Sequence, residues 1–183
     1  PRDTAPPPPG VWAHTLAIDG DPSDWLPEEL ITTPAAQAGL SWDDRWVYLV
    51  YSHPDVATGG PQHWLVVTLG PGAATVGVPV GTQNPTIPHG ASHVLQIKAD
   101  GSYSRLATWS FGGWSVDPGW TSSTRGAYTR RADLSTLEVR LPRRLLPYPT
   151  LDVSFHLAFE GAGFESSYAP VPPTAFPDPS YDP

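Results

Sequence analysis

Proline constrains this chain more than any other feature. Its 24 prolines and 17 glycines fall every few residues. A proline inside a helix costs about 3 kcal/mol, because it lacks the N–H donor and its ring strikes the preceding turn. Long helices are therefore excluded, and short strands joined by many turns are what such a chain can build.

The apolar pattern between the prolines agrees. From Leu151 to Phe159 the odd positions Leu151, Val153, Phe155, Leu157 and Phe159 are apolar, and their even neighbours are polar or small. That alternation is a half-buried strand. Leu137, Val139 and Leu141 alternate in the same way with Thr136, Glu138 and Arg140. Trp46 to Tyr51 and Trp64 to Leu69 are more uniformly apolar and read as central strands covered on both faces. His93 to Ala99 and Tyr103 to Trp109 flank Asp100-Gly101, a hairpin turn signal. Thr15 to Ile18, Gly39 to Trp42 and Thr75 to Val80 are further expected strands, while Pro27 to Ile31 and Arg143 to Leu146 can form short helical turns. The expected fold is all-β, an antiparallel β-sandwich of jelly-roll or immunoglobulin-like type over residues 12–166. A Pro-rich leader over 1–11 and a Pro-rich arm over 167–183 flank it, both extended. Tyr168, Phe176 and Tyr181 could hold the arm against this domain or a partner, or the arm could be a disordered tail.

Charge and composition narrow the function. The net charge is −8 and Lys98 is the sole lysine. Arg130, Arg131, Arg143 and Arg144 make two pairs but no basic stripe, so nucleic acid is not an expected partner. Without cysteine there is no disulfide, thiol catalysis or Cys-based zinc site. The chain opens Pro1-Arg2-Asp3 and contains no methionine. This leads us to expect a start left by removal of an export signal, or else a trimmed boundary, and with the former a protein that is secreted, periplasmic or on the cell surface. No apolar run approaches the roughly 18 residues a membrane helix needs. No nucleophile elbow, phosphate loop or HExxH motif is present, and nothing pairs Glu138 with Glu160 or Glu165 as glycosidase carboxylates. A non-enzyme is expected.

Three segments, in this order, carry a family resemblance: Leu16-Ala-Ile-Asp-Gly-Asp-Pro-Ser-Asp-Trp25, Leu40-Ser-Trp-Asp-Asp-Arg-Trp-Val-Tyr-Leu-Val-Tyr51, and Leu137-Glu-Val-Arg-Leu-Pro-Arg-Arg-Leu-Leu146. Over residues 14–160 the chain resembles family 9 carbohydrate-binding modules and the wider DOMON-like sandwiches. The motif residues are fold-makers: Asp19-Gly20 a turn, Trp25 a plug for one end of the core, Asp43-Asp44 a tight turn, Pro142 a strand end. The resemblance implies a sandwich whose cargo is sugar, calcium or a b-type haem. Haem carriers of this kind use Met with His or Lys. Here only bis-His ligation from His53, His63, His89, His93 or His156 would remain.

Four residues make the candidate ligand site: Trp109, Trp114, Asp117 and Trp120. Indole faces suit the C–H faces of a pyranose, and Asp117, Ser115 or Thr121 could bond its hydroxyls. The alternative is that the rings fill the core. Asp19, Asp21 and Asp24 could offer oxygens to calcium, though such Asp/Gly/Pro clusters usually make turns. His89 and His93 have metal spacing only if helical, which Pro88 and Gly90 oppose. No cofactor is expected beyond this possible calcium. The expected partner is a polysaccharide, or else neighbouring protein subunits of an extracellular or membrane-attached assembly, in which the chain serves as an accessory subunit. A haem-binding electron-transfer role is the third reading.

Overall fold

The computed structural model describes residues 14–58, 60, 62–148 and 150–161, and the backbone of 165–169 and 176–178. The leader over 1–11 lies outside the described residues, as does the arm over 167–183 apart from the backbone of its two short strand segments.

The strands are β1 (Leu30–Thr32), β2 (Gln37–Trp42), β3 (Trp46–Ser52), β4 (His63–Ala74), β5 (Ala91–Lys98), β6 (Ser104–Ser110), β7 (Gly113–Asp117), β8 (Ala127–Arg131), β9 (Thr136–Pro142), β10 (Leu151–Phe159), β11 (Glu165–Ala169) and β12 (Phe176–Asp178). They form two antiparallel sheets. The first has five strands in the order β1-β2-β3-β9-β8. The second has seven, in the order β11-β10-β4-β5-β6-β7 with β12 also on β10. The fold is the expected β-sandwich.

Alternation sets the interior. Leu40, Trp42, Val47, Leu49, Tyr51, Leu137, Val139 and Leu141 of the first sheet face Leu65, Val67, Leu69, Leu95, Ile97, Leu106, Val153, Phe155 and Leu157 of the second. Each such burial stabilises the fold by about 1.5–3 kcal/mol. Tyr51 stacks on Phe155 with ring centroids 6.1 Å apart.

Both sheets are also covered on their outer faces, as the uniformly apolar β3 and β4 require. Over the first sheet lies the segment before β1, where Leu16 and Trp25 pack on Tyr48 and Val50. Over the second lies the loop between β4 and β5, where Val78 and Val80 pack on Trp64, Val66, Val94 and Ala107.

The structure departs from the sequence expectation at several places. Thr15 to Ile18 and Thr75 to Val80 are covering segments and not strands, the latter touching strand geometry only in the bridge between Val80 and Gln83. β7 and β8 were not expected. Trp25 plugs no end of the inter-sheet core; it seals the outer face of the first sheet. The expected helical turns are 3-10 turns over Pro27–Glu29 and Arg143–Leu145.

Candidate functional site

Strands β6 and β7 form a hairpin whose two-residue turn is Phe111-Gly112, with Ser110 opposite Gly113. Both turn residues have positive φ, 51° and 80°, the geometry that matches strand twist in tight hairpins. Asparagine or aspartate is the usual occupant of the first position, and a bulky side chain there is strained. Phe111 gains no packing in return, because its ring is fully exposed.

Directly behind the turn, Trp109 lies opposite Trp114. Pairing directs both side chains to the outer face, with Ala107 and Val116. The indoles meet edge to face, 5.1 Å between centroids and 71° between planes. Each is part-exposed. The Trp114 Nε1–H donates to the Val76 carbonyl at 3.0 Å, which ties the pair to the covering loop. Val76 in turn lines a half-open cavity of about 540 Å³ between Thr75–Gly77 and Asn84–Ile87. Val76 and Val116 are exposed as well. From Val56 to Ile97 and from Leu106 to Val116 the chain has no Asp, Glu, Lys or Arg; the Arg105 guanidinium reaches the covering loop at Pro79 O.

Of the four residues singled out in the sequence, only Trp109 and Trp114 come together. Trp120 is a correction. It is completely buried in the inter-sheet core, stacks on Tyr128 at 6.0 Å, and donates its Nε1–H to Ser104 Oγ at 2.8 Å. It offers no ring face to a ligand. Asp117 is a second correction. It pairs with the inward-facing Leu106 and so points to the opposite side of the sheet from Trp114. Its carboxylate accepts from the Gly119 N–H at 2.8 Å and from the Ser123 hydroxyl, closing the turn into the short helix α2 (Trp120–Ser123).

The sequence motifs converge elsewhere. Glu138, expected to point outward into solvent, is fully buried under the segment before β1. Its Oε2 accepts from the Asp19 and Gly20 N–H groups at 3.0 and 2.7 Å, and its Oε1 accepts from Trp25 Nε1–H at 2.7 Å. The first and third motifs are thus two halves of one hydrogen-bonded clasp. Burial pushes the Glu138 carboxyl above the usual carboxylate range, against the pull of these donors. Glu29, also fully buried, accepts from Ser41 Oγ at 2.7 Å and Leu26 N–H at 2.8 Å, and meets His14 Nε2 at 2.7 Å. Asp43 accepts from the Arg45 and Trp46 N–H groups, both at 2.7 Å, from Tyr48 OH at 2.6 Å and from Thr15 Oγ1 at 3.0 Å. Burial raises its pKa, but these four donors outweigh burial and hold it below the ordinary carboxylate value. All three carboxylates fasten the chain to the first sheet.

The cation candidates do not form a cradle. Asp19 accepts from Asp21 N–H at 2.9 Å, Asp21 from Ser23 N–H at 3.0 Å, and Asp24 from Ala17 N–H at 3.2 Å. These are turn contacts, and among the described residues no group of three His, Asp or Glu is placed to hold a metal ion. Of the five histidines weighed for haem, two share one carboxylate and three stand apart from it. His53 and His63 each lie 3.8 Å from Asp55, while His93 bonds Ser92 at 3.0 Å on β5. His89 stands in the covering loop and His156 on β10.

No protein-family model and no curated protein matches the chain. Among solved structures it is similar to a family 9 carbohydrate-binding module from Caldicellulosiruptor kristjanssonii in complex with cellotriose. The identity is 14%, over 83% of this chain and 76% of that one, with a TM-score of 0.47.

Proposed function

We propose that this domain is a non-catalytic, exported carbohydrate-binding module whose platform is Trp109 and Trp114. The observation that carries the reading is the perpendicular indole pair, part-exposed on an outer sheet face beside an uncharged cavity of about 540 Å³. Aromatic rings stack on the C–H faces of sugars, and a few neutral polar groups then fix orientation. Thr75, Thr86 and the Asn84 amide line the cavity and supply such groups. The lack of ionisable side chains there suits a neutral polysaccharide.

Affinity gel electrophoresis on neutral polysaccharides tests this. The chain is expected to be retarded, with its tryptophan emission shifted by ligand. Trp109→Ala and Trp114→Ala should each migrate freely. Tyr103→Ala, an exposed aromatic position packed edge-on against Trp64 and away from the pair, should behave as the parent. Unretarded migration of the parent on every polysaccharide, with emission unmoved, would sink the proposal.

A further inference from the structure

We infer that Phe111 is a third ring of the glycan platform, stacking on the sugar unit next to the one held by Trp109 and Trp114. The inference rests on the proposed role of that pair and extends it by one subsite. Three observations meet at Phe111. Its φ of 51° is the left-handed conformation, which a bulky side chain adopts only under strain. Asn or Asp followed by Gly is the ordinary choice for such a turn, and Gly112 already fills the second position at 80°. The fold gives nothing back for the phenylalanine. Its ring is fully exposed, and a Cβ added at Gly112 or Gly113 would meet no atom within 4 Å, so the tip stands clear of the rest of the domain.

Position supplies a reason for the ring. Phe111 is two residues beyond Trp109, at most about 7 Å of extended chain. The covering loop lies on the other side of the pair. Val78 and Val80 pack with Ala107, two residues before Trp109, and Val76 O accepts the Trp114 Nε1–H. The pair therefore stands between the cavity lined by Val76 and the exposed tip. A glycan that leaves the cavity across the pair meets the Phe111 ring next. From Leu106 to Val116 the chain has no Asp, Glu, Lys or Arg, so an aromatic face is what the tip offers a neutral sugar. Backbone strain of this kind collects at binding sites, where it lowers stability in favour of function.

Affinity gel electrophoresis and melting curves of the full chain and its variants test the inference. Phe111→Asn installs the preferred turn residue and removes the ring. It should melt about 2–4 °C above the parent and yet bind the retarding polysaccharide about 3–10-fold more weakly, the effect of one stacked ring. A role confined to shaping the hairpin predicts the reverse, since asparagine suits the turn better. Phe111→Tyr keeps the ring and should match the parent in retention. With oligosaccharides cut from the same polymer, the affinity of the parent should go on rising for one unit beyond the length at which Phe111→Asn levels off. Phe111→Asn retained like the parent, while Trp114→Ala migrates freely, overturns this inference and leaves the tryptophan platform standing. Equal weakening by Phe111→Asn and Phe111→Tyr does the same, as does one length dependence shared by Phe111→Asn and the parent. A parent that no polysaccharide retards overturns the platform and this subsite together.

Discussion

The two outer faces of the sandwich are covered by different chemistry. Over the first sheet, residues 14–29 are fastened by three carboxylates, Glu29, Asp43 and Glu138, each satisfied by several donors. Over the second, the covering loop is fastened by neutral and cationic side chains reaching its carbonyls. Gln96 Nε2 donates to Val78 O at 2.8 Å, Arg105 to Pro79 O at 2.6 Å and Trp114 Nε1 to Val76 O at 3.0 Å. The first cover is anchored deeply and leaves Tyr48 and Val50 sealed. The second reaches β7 at Trp114 and leaves Trp109 part-exposed and Phe111 and Val116 exposed at its margin. One face is built for stability, and the other keeps aromatic surface available.

The largest effect should come from breaking the first cover. Glu138→Ala removes the acceptor of the Asp19 and Gly20 N–H groups and of the Trp25 indole N–H, the last two in buried contacts. Each buried unpaired group costs about 1–3 kcal/mol, so a loss of about 4 kcal/mol is expected in urea unfolding. Glu138→Gln keeps an acceptor and should lose less. An Ala variant within 1 kcal/mol of the parent, on the order of an exposed substitution, would show that the clasp is not what holds Trp25 down.

That clasp also marks where the sequence was legible and where it was not. Strict alternation located β9 and β10, and the more uniformly apolar runs located the doubly covered β3 and β4. The same alternation put Glu138 on the outside, which is correct for the strand. Its burial arises from a segment 119 residues earlier in the chain, and local periodicity does not register such a return. β8 was missed because Arg130 occupies an inward position, where its guanidinium bonds the Val56 and Ala57 carbonyls. β7 was missed because its turn is Phe-Gly and not Asn-Gly or Asp-Gly. With the hairpin unread, Trp109, Trp114, Asp117 and Trp120 could be taken as one loop site. Once β7 is a strand, period two sends Trp114 and Asp117 to opposite faces, and Trp120 falls past the strand end into the core.

Loosening the second cover should matter about half as much. Gln96 is fully buried, donating to Val78 O and accepting from Arg105 Nε at 2.6 Å. Gln96→Ala removes both contacts, but the loop lies near solvent and water can reach part of what is left unpaired. A loss of about 2 kcal/mol is expected, together with faster amide exchange over residues 76–80. Equal losses for Gln96→Ala and Glu138→Ala would remove the distinction between the faces.

Trp114→Phe is expected to be milder still for the fold and severe for binding. It removes the indole N–H that holds Val76 O but keeps an aromatic ring, so stability should fall by about 1 kcal/mol. Polysaccharide retention should weaken more than that figure suggests, because the cavity wall at Val76 loses its tie to the platform. Retention that follows the change in stability alone would count against a link between the pair and the cavity.

The smallest effect is one of pH and belongs to the first cover only. His14 is held above its ordinary value of 6.5, chiefly by the hydrogen bond to Glu29; burial opposes this, and the charges of Glu29 and Asp24 reinforce it. A raised histidine pKa means that the folded chain binds the proton more tightly than the unfolded one. The contribution is therefore complete below the unfolded pKa and disappears as pH rises through the folded one. Between about pH 6 and about pH 9 the parent should lose stability by less than about 1 kcal/mol, since His14 is partly exposed and the pair is screened. His14→Asn should flatten that slope, with the amide protection factors over residues 15–18, exchange corrected for its intrinsic base-catalysed rate, no longer depending on pH. Residues 76–80 over the second sheet should show no such dependence in either protein, because no acid–base pair fastens them. A slope that survives in His14→Asn would assign the titration to another group and leave the two covers alike in their response to pH.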